Sequence, residues 1–268
     1  MSKLTLPTRY YRRFPPVAHL GYIEEDVEID LARTVFLVVD VYGLGFAPEE
    51  ESRAAPSLVT ADSVHIERDI VVNHLRPATD AARRIGLPVV YTSNAAPRIA
   101  LERYEFCEQR KRNAKHDFKK VFAELPIDPR EYEYGDSDMI KYSRVVAPQP
   151  GDYFVRKIVY SSFFETRLDS LLRHLDADTL ICVGFSASEC FIGTMMDAFN
   201  RDYRLIILRD CTLATETIPA EEATSAFTRR MVLWMETYIA SSSTSQHFIA
   251  ACAALMSDIP TEGSLEGA

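Results

Sequence analysis

Short apolar runs alternate along this chain with stretches in which apolar residues return every three or four positions. The runs "TVFLVVD" (34–40), "LPVVYTSN" (87–94), "DYFVRK" (152–157), "TLICVGF" (179–185), "YRLIILRD" (203–210) and "TYIASS" (237–242) read as strands buried in a sheet. Between them lie helical patterns. Residues 65–86 place Ile66, Ile70, Val71, His74, Leu75, Ala78 and Ala82 near helical spacing, with Pro77 as a kink and Gly86 as a stop. Residues 166–175 put Leu168, Leu171, Leu172 and Leu175 on one side, with Thr166 as N-cap. Residues 190–202, 219–235 (starting at Pro219) and 244–256 complete the set. Strands alternating with helices predict an α/β fold of three layers, a mostly parallel sheet with helices on both faces.

Two segments break the rhythm. Residues 1–30 are weakly patterned and rich in Pro and Tyr, and are expected to form an N-terminal arm over the surface or onto a partner subunit. Residues 31–268 are expected to form a single domain carrying an insertion at about 95–150 over one end of the sheet. An insertion at that edge serves as a lid or as a subunit contact.

The 268 residues suffice for a substantial core, and 47% hydrophobic with 26% charged residues is ordinary for a globular protein. The net charge of -9 argues against nucleic-acid and anionic-membrane partners, which want a basic surface. The basic stretch "EQRKRNAKHDFKK" (108–120) reads as a solvated helix face. No apolar run approaches the ~18 residues of a membrane span, and "MSKLTLPTRYYRRFPP" has no apolar leader core. The five cysteines are odd in number and lack CxxC spacing, so neither a disulfide framework nor a zinc knuckle is indicated. A cytoplasmic location is the expectation.

In open α/β sheets, ligands bind beyond the carboxyl ends of the strands. That rule selects Asp40 at the end of the first strand, Lys157 at the end of "DYFVRK", and Cys190, which follows "TLICVGF" and opens a helix. Singly, each has a plain reading as turn residue, solvated cation or small core filler. Together they make coherent chemistry. A helix N-terminus and a nearby ammonium lower a thiol's pKa, Asp40 shuttles the thiol proton, and N–H groups at the start of the helix hold an oxyanion. This describes acyl transfer from an amide or urea-type carbonyl to sulfur and then to water.

Competing motifs fail. "GFSAS" (184–188) misses a GxSxG elbow by its last residue, leaving Ser186 as an alternative nucleophile. No GxGxxG follows a strand, and the six histidines show no ligand pairing, so no cofactor and no metal are expected.

With these residues in place, the chain resembles the isochorismatase-like cysteine hydrolases. Asp40 in "FLVVDVYGLGF", Lys157 in "RKIVYSSFFETRLDSLL" and Cys190 in "VGFSASECFIGTMMDAFNRDYRLIILRDCT" fall on that family's Asp, Lys and Cys positions. The K-x-x-Y-S-x-F-F-x-T pattern of residues 157–166 resembles the ureidoacrylate amidohydrolase branch, with biuret hydrolases nearby. The resemblance implies a six-stranded sheet, an Asp-Lys-Cys triad and hydrolysis of C–N bonds in amides or ureido compounds. It also implies a cis peptide at Phe185–Ser186, oxyanion donors near Ala187 and Cys190, and a homodimer or homotetramer.

The chain departs from the family pattern in places. Tyr42 stands where Gln is usual, Phe46 is displaced by one, Ala187, Ser188 and Glu189 replace Thr-Asn-Val or Thr-Asp-Val, and Glu165 stands where the ureidoacrylate branch tends to have Asn. Tyr42, Phe46, Tyr160, Phe163 and Glu165 are the expected pocket-lining residues. "YTSNAAPRIA" lacks the Asp and His of the metal-binding nicotinamidase branch.

The leading expectation is a cysteine-dependent amidohydrolase acting on a small amide, ureide or carbamoyl compound. Vinyl ether hydrolysis of the isochorismate type needs no thiol, so Cys190 counts against it. A non-catalytic binding or scaffold protein accounts for the arm, the insertion and the altered motifs, but not for an intact Asp, Lys and Cys.

Overall fold

The computed structural model describes residues 3–15, 17, 20–42, 64–94, 96–97, 105, 133–134, 142, 144–215 and 224–257. The strands are β1 (Lys3–Arg12), β2 (Gly21–Asp30), β3 (Thr34–Val39), β4 (Val89–Asn94), β5 (Ala96–Pro97), β6 (Glu133–Tyr134), β7 (Tyr153–Lys157), β8 (Thr179–Gly184), β9 (Arg204–Leu208) and β10 (Ser241–Ser243). The main sheet has eight strands in the order β2-β1-β10-β9-β8-β3-β4-β7, and β5 pairs separately with β6. The six strands from β10 to β7 are parallel, as the sequence pattern predicts.

The other two strands correct the expectation for residues 1–30. They form an antiparallel hairpin in register from Lys3 opposite Asp30 to Arg12 opposite Gly21, and β1 joins the sheet with Arg9 opposite Ser242. The reason lies in β1's alternation: Leu4, Leu6 and Thr8 are buried while Lys3, Thr5 and Pro7 face out. A half-buried edge hairpin needs only that weak period-two signal.

Helices α1 (Val64–Asp69), α2 (Arg76–Arg84), α3 (Leu168–His174), α4 (Cys190–Phe199), α5 (Ala226–Tyr238) and α6 (Ser245–Ser257) cover the sheet. A π-helical turn (Ile70–Leu75) joins α1 to α2, and there the Arg76 N–H reaches back to the Val71 carbonyl. The wider turn lies immediately before Pro77, which has no N–H to give. Gly86 ends α2 at φ 80, with Leu87 N–H bonded to Ala82 O.

Two cores result, one on each face of the sheet. On one, Phe36, Val38, Tyr91, Ile181 and Ile206 pack against Leu75, Ala78, Phe248 and Cys252 from α1–α2 and α6, together with Leu4 and Leu6. On the other, Leu37, Val39, Leu180, Cys182 and Ile207 meet Leu168, Leu172, Phe191, Met195, Val232 and Met235 from α3, α4 and α5. β3 and β8 are buried along their whole length, which is why their sequences are continuous apolar runs.

Some boundaries differ from the sequence pattern. Thr237 and Tyr238, read as strand, end α5, and the last strand is the serine run 241–243. The proposed helix start at Pro219 and most of the 95–150 insertion lie outside the described residues. No helix among the described residues is long and apolar enough to cross a membrane.

Candidate active site

β3, β4, β7 and β8 are neighbours and run parallel, so their carboxyl ends share one edge. β3 is followed directly by Asp40, which adopts a left-handed backbone (φ 49) while its N–H still pairs with the Thr92 carbonyl at 3.0 Å. A non-glycine residue in that region is held there by its surroundings, at a cost of order 1–3 kcal/mol. β7 ends in Lys157. β8 ends in Gly184 at φ 118, where a Cβ would lie 1.9 Å from the Val39 carbonyl oxygen. Only glycine lets the chain turn so close to β3 before Cys190 opens α4. The Phe185–Ser186 peptide is cis, as the resemblance implies.

The three selected side chains meet. Lys157 Nζ lies 2.6 Å from Asp40 Oδ2 and 3.2 Å from Cys190 Sγ. It also donates to Asn94 Oδ1 at 2.5 Å and to the Val159 carbonyl at 3.2 Å. Asp40 and Lys157 are buried at 3% and 1% exposure, and Cys190 is half-buried. Burial works against the Lys157 charge, but Asp40 and Cys190 outweigh it and hold its pKa above the usual lysine value. Asp40 Oδ1 is buried and accepts no hydrogen bond among the described residues.

The thiol corrects one expectation. Its pKa is not lowered: burial first, and Asp40 second, push it up to about 12 against the opposing pull of Lys157. A half-buried sulfur facing a carboxylate keeps its proton until something takes it.

The loop after Lys157 is pinned to the cysteine's helix. Ser162 Oγ bonds Thr92 Oγ1 (2.9 Å) and Thr194 Oγ1 (3.0 Å), and Ser161 Oγ bonds Asp197 (2.5 Å). Gly193 lets Tyr160 approach, since a Cβ there would be 3.1 Å from Tyr160 Cβ. The serines of the Y-S-S motif therefore fix Lys157 and Cys190 relative to each other.

The expected lining residues divide. Tyr42 lies at this edge, its hydroxyl receiving the Asn94 N–H at 3.2 Å. Tyr160 packs against α4. Phe163 is instead core, 4% exposed, packed on Tyr203 and beneath Arg201, because its loop turns inward onto α3 and α4. Glu165 is exposed on a left-handed turn. Phe46 lies outside the described residues. The Ala187 N–H is donated to the Leu213 carbonyl at 2.9 Å and is not available to an oxyanion, whereas the Cys190 N–H has no partner among the described residues. Ser186 Oγ is engaged with Ser188 and Thr215, and no base touches it among the described residues. No group of three or more candidate metal ligands occurs among the described residues. Asn94 is the participant that sequence reading passed over, although the strand-end rule that selects Asp40 and Lys157 selects it too.

Residues 59–242 match the family model of the isochorismatase domain. The chain belongs to the isochorismatase family. The matched segment of this isochorismatase-family chain contains Lys157 and Cys190 and begins after Asp40, so Asp40 joins the site through the fold. The chain is 30% identical over 192 residues, 70% of each chain, to ureidoacrylate amidohydrolase RutB of Methylobacterium radiotolerans. It is 30% identical over 146 residues to the protein of that name from Agrobacterium fabrum, covering 53% of this chain and 61% of that one. The match thus spans less than two thirds of the latter's length. Among solved structures, a cysteine hydrolase from Pseudomonas syringae pv. phaseolicola superposes with a TM-score of 0.62 over 85% of this chain and 95% of that one, at 21% identity. An N-carbamoylsarcosine amidase from Thermoplasma acidophilum gives a TM-score of 0.50 over 80% of this chain and 96% of that one, at 25% identity.

Proposed function

We propose that this protein is a cysteine-dependent amidohydrolase that cleaves a C–N bond of a small amide, ureide or carbamoyl compound. The observation that carries the reading is the buried ammonium of Lys157 in contact with both Asp40 and Cys190. The names of the similar proteins, ureidoacrylate amidohydrolase and N-carbamoylsarcosine amidase, support the bond type.

The thiol rests protonated. As the sulfur attacks the carbonyl carbon, its proton passes to Asp40, whose Oδ1 is open to receive it. Negative charge leaves a site 2.6 Å from Lys157 and appears 3.2 Å from the same ammonium. With an effective dielectric of ~20, those attractions are on the order of 6 and 5 kcal/mol, so moving the charge forfeits only ~1 kcal/mol. The Cys190 N–H, at the start of α4, donates to the oxyanion.

Collapse of the tetrahedral intermediate breaks the C–N bond, and the leaving amine takes the proton from Asp40. The acyl or carbamoyl group remains on sulfur. Asp40 then takes a proton from water as that water attacks the same carbonyl, and the thiol is restored when sulfur leaves.

Ammonia or amine release from ureidoacrylate, biuret, carbamoyl amino acids, maleamate and nicotinamide tests the reading. At least one compound is turned over by the wild type and by Cys182→Ala, and none by Cys190→Ala. Equal turnover by Cys190→Ala overturns it.

A further inference from the structure

We propose that the hairpin tip between β1 and β2, together with the outer face of α5, is the surface on which a second copy of this chain docks. The family resemblance implies a homo-oligomer without saying which face makes it. The inference does not depend on the amidohydrolase reading.

The first argument is apolar area. Phe14, Val17, Leu20 and Tyr22 around the hairpin turn, and Trp234 and Tyr238 on α5, are between 38% and 95% exposed. They are half of the twelve large apolar side chains that stand exposed among the described residues, gathered on one face. Contacts join the two elements. The Trp234 and Tyr238 rings lie 5.2 Å apart, and the Arg13 guanidinium lies over both Tyr238 (4.7 Å) and Phe14 (4.8 Å). Arg13 Nη1 also donates to the Tyr238 hydroxyl at 3.2 Å. At ~200 Å² for a whole aromatic side chain and somewhat less for Val and Leu, the six expose roughly 600 Å². That is the top of the range for the largest apolar patch on a monomer. It is also most of the ~800 Å² that one partner gives to an interface of standard size.

The second argument is shape. Tyr238 forms one wall of a groove of about 360 Å³, lined also by Tyr10, Phe199, Tyr203, Ile239 and Ala240. The surface thus carries a protruding apolar tip and an apolar recess side by side. A two-fold pairing needs both on one patch, because each copy must present what the other receives. Arg204 and Ser241, which open β9 and β10, also line the groove. The groove therefore lies at the amino edge of the sheet, and docking there leaves the edge that holds Cys190 open.

The third argument is charge. The chain carries -9, so two copies repel unless they meet where their acids are matched. Arg12 and Arg13 at the tip make no ion pair among the described residues, and neither do Glu24, Glu25 and Asp26 further along β2. A two-fold axis between the hairpins sets the tip cations of each copy against the β2 acids of the other. The hairpin lies outside residues 59–242, which match the family model, so half of this face is additional to the matched segment.

The test uses Trp234, the chain's single tryptophan, whose emission reads this face directly. Light-scattering mass and tryptophan emission are measured on the wild type and on the double variant Phe14→Ser/Val17→Ser at the same concentration, about 20 µM. Both replaced side chains are exposed, so the variant keeps its fold, which a thermal melt verifies. Self-association weakens at least about 30-fold. The double variant then has half the mass of the wild-type assembly, and its Trp234 emission lies to the red of the wild type's. Equal masses, including a wild type that is already monomeric, overturn the proposal. A halved mass with unchanged Trp234 emission overturns it as well, because α5 is then no part of the contact.

Discussion

Replacing Lys157 by Met keeps the length of the stem and removes the ammonium. It leaves Asp40, 3% exposed and open at Oδ1, without the cation 2.6 Å away. The lost attraction is ~6 kcal/mol at an effective dielectric of ~20, partly offset because the lysine no longer has to be desolvated. Breaking a buried pair from one side typically costs about 3–5 kcal/mol. For a chain of this size that lowers the melting temperature by about 6–15 °C at pH 8. The pH dependence carries the sign. In the wild type the Lys157 pKa is raised, so its contribution is fully present below the ordinary lysine value near 10.5 and is lost only as pH rises through the higher folded value. In Lys157→Met that contribution is missing at pH 8 and at pH 5 alike, since both lie well below the lysine value, so the deficit appears at both. Adding Asp40→Asn removes the stranded charge, and Lys157→Met then costs less than half as much in that background. Thermal melts of the four proteins at the two pH values measure this. A deficit that is absent at pH 8, or unchanged by Asp40→Asn, refutes the claim that the pair is a buried, mutually compensated unit.

Two further outcomes follow from the site. Gly184→Ala drives a Cβ to within 1.9 Å of the Val39 carbonyl oxygen at a φ of 118, so it is destabilised by roughly 3 kcal/mol or more and loses turnover, in contrast to Cys182→Ala, which keeps turnover; melts and assays of the two variants side by side read this. The thiol pKa of about 12 predicts that, without substrate, the rate of Cys190 alkylation climbs steadily from pH 7 to pH 10; a plateau centred below pH 7.5 contradicts a protonated resting thiol.

The site's framework was legible because β3 and β8 are buried on both faces and so read as unbroken apolar runs ending at Asp40 and just short of Cys190. Lys157 was legible by the same strand-end rule. The hairpin was not, since a one-sided edge hairpin shows only alternation, and Pro7 and the charges of "GYIEEDVEID" mask it. The last strand consists of serines, buried at Ser242 and Ser243, whose hydroxyls find partners in Glu236 and the Pro7 carbonyl, and no apolar pattern announces it. Tyr238 and Ile239 favour strands by type, yet Tyr238 is the last residue of α5. Phe163 and Phe164 are indistinguishable in sequence, but one is 4% and the other 46% exposed. The direction of the thiol's shift depends on burial depth and on the side from which Asp40 approaches, neither of which residue order encodes.

The most direct test of the central claim is mass spectrometry of the wild type quenched during turnover of its best amide or ureide substrate. The account predicts an acyl or carbamoyl adduct on the peptide carrying Cys190, absent in Cys190→Ala together with all turnover. Turnover that persists in Cys190→Ala, or an adduct on Ser186 instead, contradicts it.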